Sequence, residues 1–123
     1  MIEHLWSTPV LHEASPFTAD QINELKTFST ERFKNHKAHP PRHAMPDVPV
    51  KLRTQLNLFL PEHEMQAPPV WFEFKKWVDK TYRTYLQEAH GVRNASELDV
   101  LARCIPVCYQ KGMRAQPHYH HTG

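Results

Sequence analysis

Apolar residues recur every three to four positions in two stretches of the chain and at alternate positions in several others. The first stretch carries Ile22, Leu25, Phe28 or Ser29, and Phe33, the stripe of one helix face. Thr18-Ala19-Asp20-Gln21 precedes it and has the form of a capping box, with Thr18 as N-cap and Gln21 three residues on. Lys34, His36 and Lys37 lie near its end, where cations suit the helix dipole. The pattern predicts a helix over 19–36. The second stretch, Val70 to Ala89, repeats Trp71, Phe74, Val78, Tyr82 and Tyr85. Pro69 stands at or just before its first turn, and Gly91 follows His90 at a natural stop. Such an aromatic stripe can line a cofactor, but core packing accounts for it.

The remaining apolar positions predict extended chain. Residues 5–12 read as a first strand, which Pro9 restricts to an edge or a strand start and Pro16 ends. Within 52–60, alternation of Leu56, Leu58 and Leu60 favours a short strand, while Leu52 and Leu56 equally fit the start of a helical turn. Residues 99–110 form a nearly continuous apolar run, predicting a strand buried on at least one face. Lys111-Gly112 then predicts a turn, and Met113 to His121 a further strand. Residues 38–50, with four prolines, and residues 61–69, with Pro61 and Pro68-Pro69, read as extended loops. The expected fold is α+β, with two main helices packed on an antiparallel sheet, in one domain over 1–123.

Composition narrows the function classes. A chain of 123 residues, 40% hydrophobic, fits a single domain with a real core. No apolar run approaches the roughly 20 residues that span a bilayer, and no basic-then-apolar leader follows Met1. The expected place is the cytoplasm, of a bacterium or an infected host, with a virion as the alternative. A net charge of +2 gives no argument for nucleic acid, and no membrane partner is implied. Ten histidines make the charge sensitive to pH near about 6.5. Cys104 and Cys108 on one extended strand would stand roughly 13 Å apart at about 3.3 Å per residue. That is beyond the reach of a disulfide, so both read as buried thiols, with a metal role beside the histidines as the sharper reading. Asn94-Ala95-Ser96 has the form of a glycosylation triplet, which carries no meaning without a secretory signal.

The densest chemistry is His118-Tyr119-His120-His121. On a strand, His118 and His120 share a face, and two neutral imidazoles there are ready nitrogen ligands for zinc or iron. A catalytic metal needs a third protein ligand; His4, His12, His39, His43 and His63 are remote candidates, and spacing selects none. A solvated tail that binds metal adventitiously is the bland alternative. Glu62-His63-Glu64 fits an acid–base cluster or a solvated loop. Arg103, inside the apolar run, fits snorkelling to the surface, pairing with an acid, or holding a substrate carboxylate. No Gly-rich phosphate loop, nucleophile elbow or paired-cysteine zinc motif is present.

In order, Trp6-Ser7-Thr8-Pro9-Val10, the aromatic helix Trp71 to Leu86, the strand end Tyr109-Gln110-Lys111-Gly112, and Gln116-Pro117-His118-Tyr119-His120-His121-Thr122-Gly123 form a familiar series. It resembles the front part of a family of 2-oxoglutarate/iron(II)-dependent oxygenases found among bacteria and tailed phages. The resemblance implies a strand–helix preamble over 1–98 leading into the first strands of a double-stranded β-helix, or jelly-roll, over 99–123. It implies Fe(II) and 2-oxoglutarate as cofactors, with His118 and His120 facing the metal. The superfamily pattern has an acid two residues after its first His; here His120 stands there. Its distant His and its cosubstrate-binding Arg or Lys would fall beyond residue 123. An eight-stranded jelly-roll does not fit into the residues after 99. The resemblance therefore implies the front of a longer dioxygenase, or a fold turned to another use.

Two functions follow as expectations. One is a dioxygenase-like protein that hydroxylates its substrate while 2-oxoglutarate is decarboxylated, the chain as given lacking the full site. The other is a structural or interaction protein of a larger, oligomeric assembly, such as a phage virion component. Its protein partners would be gripped through the proline-rich segments 38–50 and 61–69 and through aromatic residues, which are enriched at interfaces.

Overall fold

The computed structural model describes residues 1–5, 8–35, 56–107, 109 and 111–112. It is a small α+β unit. Two strands, β1 (Ile2–Leu5) and β2 (Thr8–Leu11), form an antiparallel pair. Helix α1 (Ala19–Asn35), a single-turn helix α2 (Pro61–Glu64) and the long helix α3 (Pro69–His90) follow. A 3-10 turn, Ala95–Glu97, comes after α3.

The first sequence element differs from its prediction. Where one strand over 5–12 was expected, two strands pair, Ile2 opposite Leu11 and Leu5 opposite Thr8. The N-terminal ammonium donates to the His12 carbonyl at 3.0 Å, and the His12 N–H donates to the Met1 carbonyl at 2.9 Å. Pro9 lies in β2, and a two-stranded sheet has no central strand to exclude it. The hairpin docks on α3, where the Tyr85 hydroxyl donates to the Pro9 carbonyl at 3.4 Å.

Both main helices follow their sequence signals. The capping box at α1 is reciprocal: the Thr18 N–H donates to Gln21 Oε1 at 2.9 Å, and the Gln21 N–H to Thr18 Oγ1 at 3.2 Å. Two of the orphan N–H groups of the helix start are satisfied in this way. At the far end of α3, Gly91 takes φ 66°, and its N–H donates to the Gln87 carbonyl. A left-handed residue there is readily supplied by glycine, which lacks the Cβ that would clash.

The core sits where α1 and α3 meet the segments at 56–59 and 102–104. Trp71, Leu56 and Leu58 are fully buried, with Phe28 and Phe59 packed around them. The Trp71 ring lies 4.9 Å from Phe28 and 5.6 Å from Phe59, centroid to centroid, within the range where aromatic pairs attract beyond simple burial. The aromatic stripe of α3 is therefore core at Trp71 and Phe74, whereas Tyr82 at its other end is exposed.

Three expectations need correction. Residues 61–69 are not wholly an extended loop, because Pro61 opens the α2 turn, where its fixed φ and missing N–H suit a helix start. Leu56, Leu58 and Leu60 do not alternate on a strand: Leu58 and Phe59 lie in a turn, and Leu60 is exposed. No jelly-roll strand is formed by the described part of 99–110, which is extended but not laddered to another strand among the described residues. Met113–His121 and the loop 38–50 lie outside the described residues.

Candidate interaction surface

The segment from Leu98 to Val107 carries a row of exposed apolar side chains. Its start is pinned by Arg83 on α3. The guanidinium is aimed by Asp79, one helical turn away, through Nε to Oδ2 at 2.9 Å. Nη1 then donates to the carbonyls of Ala95 and, at 2.8 Å, Leu98. The hydrogen bond to Asp79 raises the Arg83 pKa further, so the clamp stays charged. It ties the 3-10 turn and the start of the extended segment to the side of α3.

The middle of the segment is held by Asn57 and Leu58. The Cys104 N–H donates to Asn57 Oδ1 at 2.9 Å, and the Leu58 N–H donates to the Cys104 carbonyl at 2.8 Å. Asn57 Oδ1 also accepts from the Phe59 N–H at 3.1 Å, so one side-chain oxygen fixes both chains. The Cys104 side chain, with Ala102, faces the core. The side chain is half-buried, where a buried thiol was expected; what burial it has pushes its thiol pKa up and gives no reason to treat it as reactive. Cys108 lies outside the described residues.

Extended chain turns successive residues to opposite sides. With Ala102 and Cys104 inward, Leu101, Arg103, Ile105, Val107 and Tyr109 face solvent. Leu101 is 90% exposed, Ile105 42%, Val107 44% and Tyr109 48%. Large apolar side chains exposed in a row, and not singly, mark an interaction site or an aggregation hazard. Beside them, Val78, Tyr82 and Leu86 of α3 and Leu98 to Arg103 line an open groove of about 470 Å³.

The backbone has the same two-sidedness. Because the N–H and C=O of Cys104 both point to Asn57 and Leu58, those of Arg103 and Ile105 point to the opposite edge. Among the described residues no hydrogen bond reaches the backbone groups of Arg103, Ile105 or Val107. Pro106 falls on the inner edge with Cys104, so the missing donor does not interrupt the outer one.

The residues singled out by sequence divide as follows. His118 and His120 lie outside the described residues, as do His39 and His43. His12 stands 3.3 Å from Glu3, and His63 3.4 Å from Glu62; the two pairs belong to separate parts of the fold. Glu64 pairs with Lys75 of α3, whose ammonium also donates to the Phe59 carbonyl, so Glu62-His63-Glu64 lies on the α2 turn and not in a solvated loop, with Glu64 turned to α3 and His63 beside Glu62. Among the described residues, no three His, Cys, Asp or Glu side chains stand together to hold a metal ion. Arg103 is exposed on the outward row. Sequence reading did not find the Arg83 and Asn57 clamps. Both act on backbone groups far along the chain, and no local spacing signals that.

No family model matches the chain, and no curated protein or solved structure matches it. Among the described residues no helix is long and apolar enough to cross a membrane.

Proposed function

We propose that the chain is an interaction protein of a larger assembly and that a partner adds a strand to the outward edge of the Leu98–Val107 segment. The observation that supports this reading is the row Leu101, Ile105, Val107 and Tyr109, exposed beside backbone groups that are unpaired among the described residues. In strand addition, main-chain hydrogen bonds provide affinity and alternate side chains provide specificity. Proteins usually guard such an edge with charges or proline. Here the outward row holds one charge, Arg103, and the proline is turned to the inner edge. The test is a photo-crosslinking residue placed at Leu101 in the chain expressed in cells. The reading expects a discrete adduct of defined mass that disappears when Ile105 is replaced by Lys; no adduct at Leu101 would overturn it.

A second reading rests on Pro117-His118-Tyr119-His120 and its likeness to the oxygenase family. In it, His118 and His120 are the first two ligands of Fe(II), and the rest of a jelly-roll with its 2-oxoglutarate-binding cation is supplied elsewhere. Metal content of the untagged chain beside a His118→Ala/His120→Ala double variant tests it. Stoichiometric iron lost in the variant supports the site; no tightly bound metal in either protein sinks it.

A further inference from the structure

We draw no further inference here: the strongest candidate, the open groove that Val78, Tyr82 and Leu86 of α3 form with Leu98 to Arg103, is a largely apolar face, and nothing among the described residues shows what covers it.

Discussion

Asn57 holds Cys104 by its main chain, across 47 positions of sequence, through an amide oxygen 2.9 Å from the Cys104 nitrogen. With the Leu58–Cys104 bond at 2.8 Å, this fixes which way every neighbouring backbone group points. The inner edge of the segment becomes structural and the outer edge becomes available.

Asn57→Ala should therefore be destabilising out of proportion to its size. It removes an acceptor used by both Cys104 and Phe59, and stranding buried N–H groups costs about 1–3 kcal/mol each. The expected loss is about 2–3 kcal/mol, read as a lower urea midpoint. Asn57→Asp keeps the acceptor and should retain much more of the stability. Equal losses in the two variants would argue against the shared hydrogen bond.

The Arg83 clamp predicts a local effect. Arg83→Met keeps most of the stem but strands the carbonyls of Ala95 and Leu98 without their donor. Because part of that region is exposed and water replaces the lost bonds, the global loss should stay near about 1 kcal/mol. The turn should nevertheless open locally. Trypsin should cut after Arg93 and Arg103 faster than in the parent chain; unchanged cleavage would mean that the turn is held by something else.

Cys104 sets a pH dependence. Burial favours the neutral thiol, so its folded pKa lies above the unfolded one. The associated stability is fully present below the ordinary thiol range of about 8.5 and is lost as pH rises through the raised folded value. In a Cys108→Ser background, stability should fall above that range, and alkylation of Cys104 by iodoacetamide at neutral pH should be slow. A Cys104→Ala variant should flatten the alkaline loss. Rapid alkylation at neutral pH would contradict the burial.

Much of this architecture was legible in the sequence because it is local. The reciprocal Thr18–Gln21 cap and the Gly91 stop depend on residues a few positions apart, and helical periodicity gave α1 and α3 to within a residue or so. The α2 turn was missed because prolines at both ends of 61–69 signal a loop as readily as a helix start. The hairpin was missed for a related reason. His4 and Glu3 break the apolar run before Leu5, so β1 does not look like a strand until β2 pairs with it. For the 99–110 segment, the extended form and an inward Cys104 were readable. The unpaired outer edge was not, because composition shows that a face is apolar and not whether another strand covers it. The surface proposed here thus lies within a segment that the sequence read as buried on at least one face, while His118 and His120 lie outside the described residues.

The central claim is that the segment around Cys104 has one closed edge and one open edge. Amide hydrogen exchange followed by NMR on a dilute sample tests this residue by residue. The account predicts that the Cys104 N–H is protected while the N–H groups of Arg103, Ile105 and Val107 exchange at rates close to those of unstructured chain. Uniform protection of all four in the dilute sample would show the outer edge already covered and would contradict the account.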